Sequence, residues 1–463
     1  MRDWDVLVLG AGGGGYPAAF RLARRGLEVL LVDERGRLGG HCLYEGCIPS
    51  KAVREAARLL ARVRRRAAYG LELIPAAGEA WSPVRAFKEQ VQSRRYDQHA
   101  AEVAAAGVTL VHGHGRLLDP HTAQITPTGS DPYSVRFRHA LVATGSHAVT
   151  LPVPGGADTW TSHELFAWHE AVSTLPQRII LIGGGYIGVE AAFMLAAFGV
   201  DTTVLEAAPR ILPQMDDQIA AALAHALEGV ARVRPLTRVT AIHRDGGAVR
   251  VTLEGTGGTE TLETDAVLTA VGRAPNLSPD LGLDAAGVAW NQHGIRVDEG
   301  MRTSAPHIFA AGDVAGHPML FHAAVRMSEV AAANILAYPA LVDTFDADCI
   351  PATVFATPEA HSVGLTLEQA RSRGIAAHEV RRDMGLEARA QIEEETEGFL
   401  KLVVEDGSEA ILGVHAVGAD AADLAAISHL LVRQRITLAQ LAKMAFPHPT
   451  QSEIFDRLAR QAR

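Results

Sequence analysis

The sequence predicts an α/β protein with two parallel-sheet units of one design and a separate C-terminal α+β domain. Near the N-terminus an apolar strand, the turn GAGGGG at residues 10–15, an apolar helix and a second strand follow one another. The same order recurs in RIILIGGGYIGVEAAFMLAAFGVDTTVLE at residues 178–206. From about residue 345 the pattern changes to a hairpin, 399–418, and then to helical periodicity over 420–444. Each repeated segment therefore has the order of a Rossmann-like unit.

The composition of the chain excludes several classes of protein. The chain has a net charge of −10 and a pI of about 6.1, so it lacks the excess of positive charge that is typical of a nucleic-acid-binding protein. Hydrophobic residues make up 48% of the chain, but no apolar run is long enough to span a bilayer. Three cysteines are too few for a secreted disulfide framework, and an odd number fits a reducing compartment. We therefore expect a cytoplasmic protein without nucleic-acid or membrane partners.

The two glycine-rich turns share one spacing, Gly-x-Gly-x-x-Gly, which is met by Gly10, Gly12 and Gly15 and again by Gly183, Gly185 and Gly188. Glycine leaves room for the backbone to approach a pyrophosphate, whose charge is stabilised by the amides and dipole of the following helix. One match would be weak evidence for a dinucleotide-binding site, because glycines also serve tight turns and close helix packing. Two matches in the same structural context predict two dinucleotide-binding sites.

An acidic residue ends the second strand of each unit, Asp33 in the first and Glu206 in the second. A carboxylate at this position accepts hydrogen bonds from the ribose hydroxyls of adenosine and repels a 2′-phosphate. Both sites are therefore predicted to prefer an unphosphorylated ribose. Arg210, shortly after Glu206, could instead serve NADPH, but the acid at the strand end favours NADH.

Two of the three cysteines, Cys42 and Cys47, lie in the segment GGHCLYEGCIPSKAV at residues 39–53. Residues at this spacing point apart on a regular α-helix, so the segment must be irregular if the thiols pair. The glycines within it permit that irregularity. Cys47 is expected near the N-terminus of the helix that follows, where the helix dipole stabilises a thiolate.

The cysteine pair has three interpretations. A zinc site would need further Cys or His ligands at close spacing, and His41 is the one near candidate. A purely structural disulfide is the second interpretation. The third, a redox-active pair, is favoured because two dinucleotide folds in one chain supply an electron source for it.

The tail segment FPHPTQSE carries a candidate proton-transfer group, His448, with Glu453 five residues later. An imidazole with a pKa near 6.5 suits the exchange of a thiol proton at neutral pH. A carboxylate bonded to the other ring nitrogen would orient the ring and raise its basicity. These residues predict a general base.

Together these segments resemble the flavin-dependent pyridine nucleotide–disulfide oxidoreductases, and among them most closely the dihydrolipoamide dehydrogenases. The resemblance covers essentially the whole chain, carried in order by GAGGGGY, GGHCLYEGCIPSK, ATGS, GGGYIGVE, VLEAAPRILP, AVGRAPN, AAGDV and HPTQSE. The cysteine pair followed by Ile-Pro and the C-terminal His-Pro-Thr are its most specific parts.

The resemblance implies a domain order and two cofactors, FAD and NAD, with no metal. The implied domains are an FAD-binding domain at 1–148, an NAD-binding domain at 149–272, a central segment completing the FAD domain at 273–343, and a C-terminal dimerisation domain at 344–463.

The resemblance also implies cofactor contacts. Asp313 would hold the ribityl chain of FAD, and Tyr186 would cover the nicotinamide pocket. Further cofactor contacts are implied in the segments ATGS, AVGRAPN and AAGDV, namely at Thr144, Gly145, Gly272, Arg273 and Gly312.

By the same resemblance, Lys51 and Glu190 would form an ion pair near the flavin N5. Cys47 would lie against the flavin as the charge-transfer thiol, and Cys42 would be the interchange thiol that meets the substrate. The implied reaction starts when a base deprotonates dihydrolipoamide, whose thiolate attacks Cys42 of the disulfide. Electrons then pass through Cys47 and FAD to NAD+.

The implied partners follow from the same likeness. His448 and Glu453 would come from the other subunit, so that a homodimer is obligatory for activity. The acyltransferase of a 2-oxoacid dehydrogenase complex is a further implied partner, beside a small dithiol or disulfide substrate.

The sequence departs from the family pattern around the cysteines. Tyr44 and Glu45 stand where Asn-Val is usual, and His41 stands where Thr is common. A buried carboxylate at Glu45 is expected to raise the pKa of the thiols by charge repulsion. Phe446 replaces a histidine that lipoamide enzymes usually carry, and HAAVRM at 322–327 lacks the usual Lys and Glu.

These departures leave other functions open. Glutathione reductase would need arginines for a 2′-phosphate in place of Glu206, and mercuric reductase would need a C-terminal cysteine pair where Cys349 stands alone. Another NAD(P)H-dependent disulfide or metal-ion reductase of the superfamily is one alternative. A flavin-containing redox sensor, which would not need His448, is another.

Overall fold

A computed structural model describes residues 2–65, 80–316 and 318–462 of the chain. It confirms the predicted α/β architecture with two parallel-sheet units and a C-terminal α+β domain. In the described part of the chain, we found no helix whose length and apolar character would allow it to cross a membrane.

The first unit begins with a strand that is almost wholly buried at its C-terminal end, because four successive apolar residues point alternately to two packed faces. Before the chain enters the second unit, the elements are β1 (Arg2–Leu9), α1 (Tyr16–Ala23), β2 (Val29–Asp33), α2 (Gly40–Tyr44), α3 (Cys47–Arg65), α4 (Trp81–Ala106), β3 (Thr109–Asp119), β4 (Thr122–Pro127), β5 (Tyr133–Val142) and β6 (Ser146–Ala148).

The second unit repeats the strand, turn, helix and strand of the first. Its elements are α5 (Ser162–Phe166), β7 (Arg178–Ile182), α6 (Tyr186–Ala197), β8 (Asp201–Leu205), α7 (Asp217–Glu228), β9 (Arg232–Arg234), β10 (Arg238–Asp245), β11 (Ala248–Gly255), β12 (Gly258–Thr264) and β13 (Ala266–Thr269). Strands β13, β7, β8 and β9 form a parallel sheet in that order, and β10 to β12 form an antiparallel sheet.

The chain then returns to the first unit through β14 (Arg273–Pro275), β15 (Trp290–Asn291), β16 (Gly294–Ile295), β17 (Ile308–Ala310) and α8 (Phe321–Leu336). Strand β17 pairs in parallel with β5, so the first sheet runs β1-β2-β3-β4-β5-β17 with β1 also paired to β5. Buried apolar residues cover both faces of this sheet. A late segment of sequence therefore completes the first core.

The C-terminal domain is an antiparallel sheet covered by helices. Its elements are β18 (Ala352–Val354), β19 (Glu359–Gly364), α9 (Leu367–Ser372), β20 (Ala377–Asp383), α10 (Ala388–Ile392), β21 (Phe399–Glu405), β22 (Ile411–Gly418), α11 (Ala421–Arg433), α12 (Leu438–Leu441) and α13 (Glu453–Gln461). The sheet order is β18-β19-β22-β21-β20, and the predicted hairpin is β21 and β22.

The structure shifts some predicted boundaries. The apolar periodicity predicts a first helix from Ala18, but α1 begins at Tyr16, because Pro17 suits the first turn of a helix. The helical periodicity over 420–444 is divided into α11 and α12, because Arg435 takes a positive φ of 48° and Thr437 caps a new helix.

A buried ion cluster ties the second unit to the C-terminal domain. Lys401 on β21 is 1% exposed, and its Nζ lies 2.8 Å from both Asp216 Oδ2 and Glu379 Oε1. Asp216 also accepts hydrogen bonds from the amides of Gln218 and Ile219 at the start of α7. One lysine therefore compensates two carboxylates from different parts of the chain.

Candidate active site

The two glycine-rich turns have the same construction. Gly10 and Gly183 take φ values of +102° and +108°, and a Cβ there would lie 2.3 Å and 2.4 Å from the carbonyl oxygens of Ala143 and Ala270. The third glycine of each motif, Gly15 or Gly188, would place a Cβ 1.9 Å from the carbonyl oxygen of the first glycine. These glycines let the strand, turn and helix pack closely. Both predicted turns are therefore built from equivalent contacts.

The middle glycines are different, because a Cβ on Gly185 would meet nothing within 4 Å and one on Gly12 would meet Gly40 Cα alone, at 3.8 Å. Both residues border a large cavity. A phosphate group could therefore approach the backbone at these two points, just before the N-termini of α1 and α6. The residues present fit the pyrophosphates of two dinucleotides.

The two acids that follow the second strands hold the turns in the same way. Asp33 accepts hydrogen bonds from the amides of Ala11 and Arg35, each at 2.9 Å. Glu206 accepts from the amides of Gly184 at 2.6 Å and Ala208 at 2.7 Å. Each carboxylate is thus oriented by the backbone and keeps further lone pairs for ribose hydroxyls.

Arg210, the residue that could have served a 2′-phosphate, is engaged elsewhere. It donates to the carbonyl oxygens of Leu212 and Met215 at 3.0 Å and 3.2 Å and pairs with Asp217 at 2.6 Å. These contacts fix the loop before α7. Because Arg210 is engaged in these contacts, they support the preference for NADH that Glu206 predicts.

One cavity of about 2020 Å³ connects the two turns with the cysteine pair. The predicted site residues that line it are Gly12, Cys42, Cys47, Lys51, Gly145, Gly183, Gly185, Tyr186, Glu190, Glu206, Gly272, Arg273, Gly312 and Asp313. Among the described residues, the lining does not include Gly10, Gly15, Asp33, Thr144, Gly188, His448 or Glu453. The fold therefore assembles most of the predicted site from six separated segments.

The cysteine segment is irregular, as pairing of the thiols requires. Cys42 lies in the short helix α2, and Cys47 is the first residue of α3. Between the two helices, Glu45 ends α2 in a non-helical conformation. Both cysteines are free thiols, and each shifts the pKa of the other. The helix break therefore brings together two residues that a continuous helix would separate.

The two thiols differ in acidity. The hydrogen bond to Cys47, together with burial, raises the pKa of Cys42. The same hydrogen bond lowers the pKa of Cys47 against the effect of burial, and the charge of Lys51 lowers it further. Cys47, at the positive end of α3, is therefore the more acidic of the two thiols.

Lys51 and Glu190 form the ion pair implied by the family resemblance, with Nζ and Oε2 2.8 Å apart. The second oxygen of Glu190 accepts from the amide of Phe355 at 2.9 Å. Lys51 Nζ also lies 4.4 Å from the centre of the Phe355 ring. The pair thus joins the helix that begins with Cys47 to the second unit and to the C-terminal domain.

Glu45 does not act on the thiols as the sequence led us to expect. Burial would raise its pKa, but hydrogen bonds with His41 and His163 and the charge of Arg35 lower it to about 2. The pKa of Cys47 is lowered by the hydrogen bond with Cys42 and by the charge of Lys51, against burial and the charge of Glu190. The expectation of a raised thiolate pKa at Cys47 is therefore wrong, because histidines and an arginine compensate the carboxylate.

Arg273 lies at the junction of several predicted residues. Its guanidinium donates to Ser146 Oγ and to the Ser146 carbonyl, each at 2.8 Å, and its Nε is 4.0 Å from Asp313 Oδ2. Ser146 Oγ in turn donates to Asp313 at 2.5 Å. Thr144 bonds to the carbonyl oxygen of Asn276 at 3.1 Å, outside the cavity lining. Arg273, Ser146 and Asp313 therefore form one polar wall.

The tail places His448 beside Glu453, as the sequence predicts. His448 Nδ1 is 3.0 Å from both carboxylate oxygens, and Arg457 also donates to Glu453 at 2.8 Å. The carboxylate accepts from Nδ1–H, which leaves Nε2 of the 65% exposed imidazole as the basic nitrogen. Phe446 stacks against Phe455 with ring centroids 6.0 Å apart and anchors the segment.

Sequence reasoning missed Gln92 on α4. This buried side chain donates to the carbonyl oxygens of Leu43 and Tyr44 at 3.1 Å and 2.7 Å, at the end of the helix that carries Cys42. It also missed His163, which bonds to Glu45 from α5. A single polar residue on a helix gives no sequence signal of such a role.

The described residues contain no group of three or more His, Cys, Asp or Glu side chains arranged to hold a metal ion. Cys349, the third cysteine, donates to Asp346 at 3.1 Å, and burial raises the pKa of its thiol to about 11.

Two family models match the chain. The model described as pyridine nucleotide-disulphide oxidoreductase matches residues 4–328, and the dimerisation domain of the same family matches 350–459. Among curated relatives, a dihydrolipoyl dehydrogenase of Geobacillus stearothermophilus is 35% identical over 457 residues, covering 98% of this chain and 94% of that protein. A dihydrolipoyl dehydrogenase of Mycobacterium tuberculosis is 35% identical over 467 residues, covering 98% and 97%.

Solved structures show the same overall likeness. LpdA of Mycobacterium tuberculosis superposes with a TM-score of 0.90 at 26% identity, and both chains are covered completely. A Cu(II) complex of the HOCl-induced flavoprotein disulfide reductase RclA of Escherichia coli superposes with a TM-score of 0.87, also at 26% identity and full coverage of both chains.

Proposed function

Because the chain belongs to the pyridine nucleotide–disulphide oxidoreductase family and is a flavoprotein that uses FAD and NAD(H), we propose that it transfers electrons between dihydrolipoamide and NAD+. The redox-active groups are Cys42 and Cys47. The observation that carries this proposal is that Cys47 begins α3 and shares one cavity with Cys42 and with both dinucleotide turns. Cys42 and Lys51 lower the pKa of Cys47.

The residues of the chain suggest how each cofactor is held. Gly12 and Asp33 of the first unit, with Asp313 from the returning segment, would hold FAD. Gly185 and Glu206 of the second unit would hold NAD, beside Tyr186, whose pKa is raised by burial against the cavity. Bound FAD supplies the carrier that connects the dithiol with the nicotinamide.

The proposed reaction begins at the imidazole of His448, whose Nε2 removes a proton from one thiol of the substrate. In the oxidised protein, Cys42 and Cys47 are joined in a disulfide. The substrate thiolate attacks Cys42 Sγ of this disulfide, the Cys42–Cys47 bond breaks, a mixed disulfide with Cys42 forms, and Cys47 leaves as the thiolate that Lys51 stabilises. The second substrate thiol, after losing its proton, attacks the substrate sulfur of the mixed disulfide. This step releases the cyclic disulfide and returns Cys42 as a thiol, so that two electrons now reside on the cysteine pair.

We assign His448 and Glu453 of one subunit to the site of the other subunit in a homodimer. The chain carries the dimerisation domain of the family, and in the described part of a single chain these residues lie outside the cavity that contains Cys42. The acyltransferase of a 2-oxoacid dehydrogenase complex is the proposed larger partner. The low cysteine content supports a cytoplasmic location.

A second candidate function is that of an NAD(P)H-dependent disulfide or metal-ion reductase. It is favoured by the likeness to the disulfide reductase RclA and by the departures His41, Tyr44 and Glu45 beside the cysteines. A metal ion would then be a substrate at the thiols, since the described residues offer no resident metal cluster. A slowly acting flavin redox sensor would keep the cysteine pair but would not depend on His448.

The proposed function is tested by mixing the purified holoprotein anaerobically with dihydrolipoamide and then with NAD+, while NADH formation is followed. Catalytic NADH formation that is lost in Cys42→Ser supports dihydrolipoamide as substrate. If the protein reduces other disulfides or Cu(II) with NADH but forms no NADH from dihydrolipoamide, the lipoamide assignment is wrong. Reaction with neither class of substrate would favour the redox sensor.

A further inference from the structure

Two neighbouring short helices, α2 and α5, end against α4. Helix α2, which carries Cys42, ends at Tyr44, and α5 ends at Phe166. The chain leaves the helical conformation at Glu45, where φ is −149°, and at Ala167, where ψ is 142°. The last carbonyl groups of a helix have no partner within it, so those of α2 and α5 need donors from elsewhere in the fold.

Helix α4 supplies these donors from two fully buried side chains, Gln92 and Lys88. Gln92 Nε2 donates to the carbonyl oxygens of Leu43 and Tyr44, at 3.1 Å and 2.7 Å. Lys88 Nζ donates to two carbonyl oxygens at the end of α5, at 3.1 Å and 2.8 Å. The two side chains stand one turn apart, so a single face of α4 caps both short helices.

The side chain of Gln92 uses the nitrogen of its amide and not the oxygen. An NH2 group carries two N–H donors, which is the number that two successive carbonyl groups need. In the described part of the chain, Oε1 of Gln92 is buried and has no hydrogen-bond partner. An unpaired buried amide oxygen is costly, and an apolar side chain of the same size would avoid that cost. The two bonds to α2 are therefore what a glutamine supplies at this position.

The position of Cys42 depends on how α2 is held. The helix has five residues, and a helix so short is unstable on its own. One of its backbone bonds is long, with 3.4 Å between Leu43 N and Gly39 O. Helix α4 packs against α2 and also against α3, which begins with Cys47. One helix therefore supports both of the elements that carry the cysteines.

We propose that Gln92 is a positioning residue for Cys42: by bonding both terminal carbonyl groups of α2 to α4, it holds the Cys42 thiol where it closes the disulfide with Cys47. This inference rests on the proposed redox function of the cysteine pair. A disulfide accepts only a narrow range of separations between its two Cβ atoms. Without the two bonds, the end of α2 turns toward other donors and Cys42 samples more conformations. Closing the disulfide then costs more conformational entropy.

The test measures how easily the Cys42–Cys47 disulfide of the holoprotein is reduced. The anaerobic protein is equilibrated with mixtures of reduced and oxidised dithiothreitol. Each protein disulfide takes two electrons and two protons from one reduced dithiothreitol, which becomes its cyclic disulfide. Free thiols are then trapped with N-ethylmaleimide and quantified by peptide mass spectrometry.

The test variant is Gln92→Met, which keeps the length of the side chain but removes the donor. The ratio of reduced to oxidised dithiothreitol at which half of the disulfide is reduced is expected to fall about tenfold in this variant, because two buried carbonyl groups lose their partner and α2 is no longer fixed.

The matched control is Lys88→Met, which removes an equally buried donor from the same face of α4 but uncaps α5 instead of α2. We expect a lower thermal unfolding midpoint in this control and no change of the half-reduction ratio, so that a general loss of stability is separated from the positioning of Cys42. Gln92→Lys keeps N–H donors at the position and should retain most of the parent ratio. If Gln92→Met does not fold, Gln92→Asn, whose amide is carried on a shorter side chain, should lower the ratio in its place.

An unchanged half-reduction ratio in folded Gln92→Met overturns the proposal, as does an equal fall in Lys88→Met or a fall in Gln92→Lys as large as that in Gln92→Met. The failure of the proposed function gives different results. A parent protein that forms no Cys42–Cys47 disulfide at any ratio overturns both assignments. A parent that forms the disulfide but yields no NADH from dihydrolipoamide overturns the substrate alone.

Discussion

Lys51 Nζ lies 2.8 Å from Glu190 Oε2, and this ion pair joins the helix that begins with Cys47 to helix α6 of the second unit. The two charges act on Cys47 in opposite directions. Lys51 lowers the pKa of the thiol, and Glu190 raises it. The pair therefore holds a cation near the thiolate while limiting how strongly that cation acts.

Opposite substitutions in this pair should move the acidity of Cys47 in opposite directions. Lys51→Met removes the stabilising charge and is expected to raise the pKa of Cys47, whereas Glu190→Gln leaves Lys51 uncompensated and is expected to lower it. The pH dependence of iodoacetamide alkylation at Cys47, measured with Cys42→Ser in the background, checks both signs. A shift in the same direction for both variants would contradict the assigned electrostatics.

The preference for NADH should depend on the negative charge of Glu206. Glu206→Gln keeps one oxygen as acceptor in place of the two that bond the amides of Gly184 and Ala208, and it no longer repels a 2′-phosphate. We expect kcat/KM to favour NADH in the wild type, with the ratio of NADH to NADPH falling about tenfold or more in the variant. Wild-type preference for NADPH would refute the role given to Glu206.

His448 should be needed in trans. His448→Gln is expected to lower the rate of dithiol oxidation by about 10²- to 10⁴-fold, the usual contribution of a general base. Mixing His448→Gln chains with Cys42→Ser chains under conditions of subunit exchange should restore activity, because each mixed dimer contains one intact site. Random exchange predicts recovery of up to about a quarter of the wild-type sites. No recovery in verified mixed dimers would place His448 in its own subunit's site.

Loss of the buried cation at Lys401 should destabilise the protein strongly. Lys401→Met keeps the volume of the side chain but leaves Asp216 and Glu379 without their shared partner, with an expected cost of about 3–5 kcal/mol. The exposed pair of Arg232 with Asp201 is the control, and Arg232→Met should cost no more than about 1 kcal/mol. Thermal unfolding of the holoproteins ranks the two variants, and equal midpoints would contradict the ion cluster.

The stability of the protein should fall as His163 loses its proton. Because the folded-state pKa of His163 is raised, its contribution is fully present below the unfolded pKa of about 6.5 and is lost as pH rises through the folded value. His163→Gln should remove this part of the pH dependence. Thermal unfolding midpoints of both proteins, compared between about pH 6 and pH 9, give the measurement. Parallel curves would show that His163 does not titrate differently in the folded state.

Several parts of the site were predictable because local sequence carries their physical requirement. The glycine spacing at Gly10–Gly15 and Gly183–Gly188 is forced by close packing of strand, turn and helix. The place of Cys47 at a helix start follows from the glycine and proline around it. His448 and Glu453 are neighbours in sequence, so their contact needs only a short tail segment.

Other parts could not be predicted because they depend on which segments meet. Glu45 was expected to oppose the thiolate, but its carboxylate pairs with His163, which lies 118 positions away and belongs to another unit. The sequence around Gln92 gives no signal that its amide would donate to a carbonyl oxygen at the end of α2, the helix that contains Cys42.

The sequence by itself determined the two dinucleotide turns, their acids, the cysteine pair and the base in the tail, because each of these needs residues within one turn, strand end or helix start. Only the tertiary structure decided the state of charge around the cysteines. Burial and charge compensation depend on every group within a few ångströms, and at Glu45, Arg273 and Lys401 those groups come from distant parts of the chain.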